Sequence, residues 1–198
     1  MADPLYLSLW FPSFEETDMM PHMLSVLRQF PFSRQDPGIL NVALYPVSWN
    51  EATVLEQRFR PGIRPEEAVL IAADLLHDDY AYVFEARWDL WSPSQSASGE
   101  WRQMPSLVRF IAQGLEFDEA SYQHTGEIQI DFGLDAPFLY EGLSLTPEAE
   151  MQVRSNIHKL VDFTNKVEKN TGATGRLLWS ESEENLAQKL IARLQAVQ

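Results

Sequence analysis

Apolar and polar residues alternate from Leu5 to Phe11. Leu5, Leu7, Leu9 and Phe11 fall on one side, and Tyr6, Ser8 and Trp10 on the other. A period of two is that of a strand with one buried face. Between Thr17 and Phe30 the period lengthens, and Met20, Leu24, Leu27 and Phe30 recur at helical spacing. Thr17 or Asp18 can cap that helix, and Pro21 is tolerated in its first turn. Pro37-Gly38 marks a turn. Ile39–Val47 reads as a second strand and Ala52–Phe59 as a third. Pro65 then opens a helix, with Glu66 and Glu67 complementing its dipole and Ala68, Ile71, Ala72 and Leu75 turned inward. It ends near His77. Tyr80–Trp91 is the clearest strand of this half: Tyr80, Tyr82, Phe84, Ala86, Trp88 and Leu90 share one face, and Glu85, Arg87 and Asp89 the other.

Residues 1–91 thus read β-α-β-β-α-β. This is the ferredoxin-like order, in which two split βαβ units share a mainly antiparallel sheet with both helices on one face. A helical Ala52–Phe59 would break the pattern. Ser92–Gly99 is rich in serine, and 92–105 is expected to be a linker or loop. Residues 106–198 read β-β-α-β-α, with strands at Ser106–Gln113, Gly126–Gly133 and Arg176–Trp179. Thr146-Pro147-Glu148 is a strong helix start, and Asn170-Thr171-Gly172 closes that helix. A last helix, capped by Ser180 or Ser182, turns Leu186, Leu190, Ile191 and Leu194 inward. The expected class is α+β, with this half either extending the first sheet or forming a related second one.

Composition narrows the function classes. Hydrophobic residues make up 45% of the 198, too many for a disordered chain. With no cysteine, disulfide scaffolds, thiolate metal sites and cysteine catalysis are excluded. The net charge of −14 argues against nucleic acid as a partner, because phosphate backbones need clustered Lys and Arg. No apolar run approaches the roughly 20 residues that span a bilayer, so no membrane role is expected. The first residues carry Asp3 and lack a basic leader or a cleavage pattern, which makes the cytoplasm the default location. Between Arg109 and Arg154 there is no Lys or Arg. Glu116, Asp118, Glu119, Glu127, Asp131, Asp135, Glu141, Glu148 and Glu150 crowd the same window. It is either a solvated acidic surface or a docking face for a basic protein or a cation.

Two groups of residues carry candidate chemistry. In a ferredoxin-like sheet the strand at Tyr80–Trp91 lies beside the first strand, with the third on the first strand's other side. Tyr6, Trp10, Glu56, Arg58, Glu85, Arg87 and Asp89 would then share one exposed face. Aromatic walls with a few fixed charges suit a polar organic ligand or a partner's side chains. Ordinary cross-strand ion pairs would give the same pattern. His77, Asp78 and Asp79 offer an imidazole and two carboxylates, the start of a metal site or of a base with its orienting acid. A metal site needs ligands from other segments as well, and a helix exit followed by a polar turn uses the same residue types. No cofactor-binding or nucleophile motif is present, so neither catalytic residues nor a cofactor are expected.

The leading expectation is an acidic, non-catalytic binding protein for a partner with a basic surface, as an inhibitor or immunity protein would be. The second is a small-molecule binding protein using the aromatic and charged sheet face. The third is a metal-assisted hydrolase centred on His77.

Overall fold

The computed structural model describes residues 2–94, 100–140, 144–181 and 186–195. The alternating segments become strands β1 (Pro4–Trp10), β2 (Ile39–Pro46), β3 (Leu55–Ile63), β4 (Tyr80–Pro93), β5 (Trp101–Gln113), β6 (Ile128–Leu134) and β7 (Gly175–Ser180). The helices are α1 (Glu16–Leu27), α2 (Pro65–Ala73), α3 (Tyr122–Thr125), α4 (Ala136–Leu139), α5 (Pro147–Asn170) and α6 (Leu186–Gln195). Among the described residues no helix is long and apolar enough to cross a membrane.

Local chemistry sets the helix starts. Thr146 caps α5, its hydroxyl accepting from Ala149 N at 3.2 Å, and Pro147 occupies the first helical position. In α1 the cap is Glu15, two residues ahead of the expected threonine, and its own N–H donates to Asp18. Helix α2 stops at Ala73 rather than near His77, and buries Ala68, Val69 and Ala72. The last strand and helix of the chain fall where the pattern places them, with Leu186 and Leu190 buried as expected but Ile191 exposed. Ser182, one candidate cap, lies outside the described residues.

The seven strands form one antiparallel sheet in the order β3-β2-β4-β5-β6-β1-β7. The fold is α+β, and the second half extends the first sheet. The ferredoxin-like arrangement of strands is not what forms. β1 pairs with β6 and β7, not with β3 and β4. The cause is β5, which pairs with β4 over thirteen consecutive residues, from Ala81 with Gln113 to Pro93 with Trp101. It takes the edge of β4 that β1 would have used. β6 follows it, and β1 is displaced to the far side. Residues 92, 93 and 101–105, expected in a linker, are strand; the serine-rich 95–99 lies outside the described residues. What remains of the expected pattern is the split unit β3-α2-β4, parallel strands with β2 between them. A second such unit, β6 and β7 about β1, comes from the other half.

The helices cover one face. Leu5, Leu7 and Leu9 of β1, Tyr82, Phe84, Ala86, Trp88 and Leu90 of β4, and Phe110 of β5 meet Met23 and Val26 of α1 and Val153, Ile157, Leu160 and Phe163 of α5. Each of these side chains is essentially removed from water. Burying such a side chain stabilises by about 1.5–3 kcal/mol, so this layer dominates the fold's stability. Asn156 and Thr164 are the polar residues on the buried face of α5, and Asn156 is the more deeply buried. Its Oδ1 accepts from Trp91 N, and its Nδ2 donates to the carbonyls of Trp91 and Pro137, all at 2.8 Å. The amide thereby satisfies β4 where that strand has outrun β2.

Candidate functional site

The opposite face of the sheet carries no helical layer over most of its width. Register places one transverse row across all seven strands of this face: Arg58, Asn41, Glu85, Arg109, Asp131, Tyr6 and Trp179. Cross-strand neighbours in such a row interact directly. Arg109 Nε donates to Glu85 at 3.0 Å, and its Nη1 lies 3.6 Å from Asp131. That bond to Glu85, with the charges of Glu85 and Asp131, raises the Arg109 pKa and holds it charged. The Tyr6 ring lies 4.8 Å from that of Trp179. Its phenol is raised in pKa by burial, with Asp131 adding to the shift.

One end of the face is covered. The connection from β5 to β6 folds over it, so that Ser8 donates to Thr125 O at 2.6 Å and Trp10 Nε1 to Tyr122 O at 3.2 Å. Glu127 is buried here, its carboxylate accepting from Phe11 N at 2.7 Å. Burial raises its pKa and outweighs that hydrogen bond. A carboxyl whose folded pKa lies above its unfolded value favours folding while protonated. Its contribution is full below the unfolded pKa and is lost as pH rises through the folded one. Glu127→Gln keeps the acceptor and removes the charge. It is expected to raise the melting temperature at pH 7, with the gain shrinking towards about pH 4, near the ordinary glutamate pKa. Parallel melting curves of the two proteins across that range check this; a gain independent of pH would contradict it.

At the other end the face opens into a groove of about 770 Å³. Its making is local. Ile39 and Asn41 of β2 are two residues apart, yet they pair with Ile63 and Arg58 of β3, which are five apart. Phe59–Gly62 therefore bulges out and forms one wall. Pro61 fits there because a bulge on an edge strand needs no ladder N–H. Gly62 lets the bulge press against the Pro37-Gly38 turn: a Cβ on Gly62 would lie 2.3 Å from Pro37 O. Gly38, at φ +82°, would bring one to 2.4 Å from Ile63 O. Asn41, Glu85, Arg87, Leu107 and Arg109 line the rest, beside Arg58 and Arg60.

Only part of the expected patch meets here. Arg58, Glu85 and Arg87 converge on the groove, Arg87 pairing with Asp36 at 2.6 Å. Glu56 pairs with Arg58 at 3.1 Å from just outside it. Tyr6 lies further along the transverse row, past Arg109 and Asp131, and Trp10 lies under the β5–β6 connection. Asp89 is buried, with its carboxylate accepting from the Ser33 hydroxyl at 2.6 Å and Arg34 N at 3.0 Å. It anchors a loop instead of facing a ligand. Tyr6 and Trp10 depart for the same reason as the altered strand order, since β5 and β6 stand between β1 and β4; Asp89 departs because the Ser33–Arg34 loop covers it.

Sequence reasoning missed Asn41, Arg60 and Arg109. Asn41 is 8% exposed, and its Oδ1 has no hydrogen-bond partner among the described residues. The signal was a lone amide inside the apolar strand Ile39–Val47. Arg60 makes no ion pair or side-chain hydrogen bond among the described residues.

His77, Asp78 and Asp79 form the turn from α2 into β4. Their backbone is occupied: His77 N donates to the Tyr82 hydroxyl at 2.8 Å, Asp78 O accepts from Glu116 N, and Asp79 O accepts from Val47 N. The Tyr82 hydroxyl in turn donates to Leu75 O. No group of three or more His, Cys, Asp or Glu residues gathers in a metal-binding arrangement among the described residues. No known protein family matches the chain, and neither does any curated protein or solved structure.

Proposed function

We propose that this protein binds a small polar organic molecule in the arginine-lined groove on the open face of its sheet. The observation that carries this reading is Asn41. A buried acceptor without a donor costs about 1–3 kcal/mol, and this one belongs to the groove lining, among four arginines. A ligand donor would recover that cost. The groove is of a size suited to a metabolite-sized ligand, which typically occupies roughly 300–1,000 Å³. Leu40, Phe59 and Leu107 supply apolar wall for a carbon skeleton.

The reading as a docking protein for a basic partner gains less support. The acidic run does not act as one surface. Glu127 is spent on Phe11, Asp131 on Arg109, Asp135 on Asp3 N at 3.1 Å, and Glu150 on Arg193 at 2.6 Å. Glu141 lies outside the described residues.

The test is a melting-temperature screen with amino acids, hydroxy acids, sugar phosphates, nucleosides and neutral sugars. At a hundredfold excess over Kd, binding stabilises by about 2.7 kcal/mol. For a chain of 198 residues that is roughly 5–10 °C. At least one compound is expected to give such a rise and to shift the side-chain amide resonances of Asn41. If nothing in the panel moves those resonances, the proposal fails.

A further inference from the structure

Resting on the groove as the binding site, we infer that its occupant carries an acidic group, carboxylate or phosphate, held at Arg60, together with a hydroxyl or amine donor placed at Asn41. The groups already satisfied are the guide to what the ligand need not provide. The groove's carboxylates are both engaged: Glu85 accepts from Arg109 at 3.0 Å and Asp36 from Arg87 at 2.6 Å. A cationic ligand would have to displace an arginine to reach either. Arg58 is held by Glu56. Two groups are left over, a guanidinium that only donates and an amide oxygen that only accepts. Their complement is an acceptor with negative charge and a donor on one skeleton.

Charge supports the same class. The lining holds four arginines against Asp36 and Glu85, on a chain whose net charge is −14. Glu56 and Asp131 stand just outside the lining; with them, Arg58, Arg87 and Arg109 engage all four nearby carboxylates, Arg109 taking two, and Arg60 is the arginine left unpaired. The acidic remainder of the chain acts weakly here, because charges beyond about 8 Å are screened at physiological ionic strength. A guanidinium presents a planar fork that suits either carboxylate or phosphate. Arg60 sits on the exposed bulge wall, where it can swing onto a ligand and back without disturbing the sheet.

Calorimetric titration of the full chain with matched probes tests this, with groove contact read from the Asn41 amide resonances. Glucose 6-phosphate, glucose and glucosamine share a skeleton and differ in charge. Citrate and tricarballylate differ by one hydroxyl, and comparing citrate with glucose 6-phosphate separates carboxylate from phosphate. At least one of the two hydroxylated acids is expected to bind in the groove. Arg60→Gln should weaken it at least about tenfold, as for loss of a charge-assisted hydrogen bond. Asn41→Leu should abolish any preference for citrate over tricarballylate. Should Asn41→Leu not fold, Arg60→Gln, on an exposed wall, carries the test alone. Groove binding of glucose or glucosamine at equal or greater affinity would overturn the acid while leaving the site. Acid binding unaffected by Arg60→Gln would overturn the assignment to Arg60. No probe reaching Asn41 would overturn the acidic class, while a hit from the wider screen would still keep the groove.

Discussion

Replacing Asn156 by alanine is expected to cost about 3 kcal/mol of folding stability, more than a surface change could. The residue buries one amide and makes three bonds of 2.8 Å to main-chain groups of two different segments. Alanine leaves Trp91 N, Trp91 O and Pro137 O without those partners. Asn156→Asp is expected to be worse still, because it retains an acceptor for Trp91 N but sets a buried charge against two carbonyl oxygens. Denaturant unfolding gives the loss directly. Amide hydrogen exchange gives its place, since Trp91 should exchange faster than its neighbours in β4. A loss below about 1 kcal/mol, the ordinary worth of one hydrogen bond, would mean that water replaces the amide at little cost.

Trp88→Ala is the other large effect, an expected loss of about 3–5 kcal/mol. The indole is fully buried, with ring centroids of Phe30 at 5.5 Å, Phe132 at 5.3 Å, Phe138 at 6.1 Å and Phe163 at 6.5 Å. It joins β4 to β6, α4, α5 and the segment after α1. Its Nε1 has no acceptor among the described residues, so part of its burial opposes folding. Trp88→Phe keeps most of the ring packing and removes that N–H. It should therefore cost under about 1.5 kcal/mol. Equal losses for the two variants would show that indole shape, not aromatic filling, governs the site.

Much of this was legible from local pattern. The alternation in Tyr80–Trp91 named the buried face of β4, since Tyr82, Phe84, Ala86, Trp88 and Leu90 are all buried. Thr146-Pro147 announced α5, because capping and ring geometry act within four residues. Strand order was not legible. It depends on which strand takes the free edge of β4, and β5, next in the chain, pairs with it over thirteen residues. The site inherited that gap. Arg58 lies on β3 and Glu85 and Arg87 on β4, strands joined through β2 without β1, and they stayed together. Tyr6 and Trp10 depended on β1 and were carried away. Arg109 entered with β5, and Asn41 escaped notice because its missing partner is a property of space, not of spacing.

The bulge at Phe59–Gly62 also bears on how copies of this chain behave towards one another. β3 is an outer strand, and an outer strand offers its unpaired main chain to any neighbour that can lie flat against it. Here the strand is bent by three extra residues, lacks one N–H at Pro61 and carries Glu56, Arg58 and Arg60 along its length. Each of these discourages strand addition. The feature that opens a groove on the face thus closes the edge to self-association, and straightening it would expose a polymerising edge along with losing a pocket.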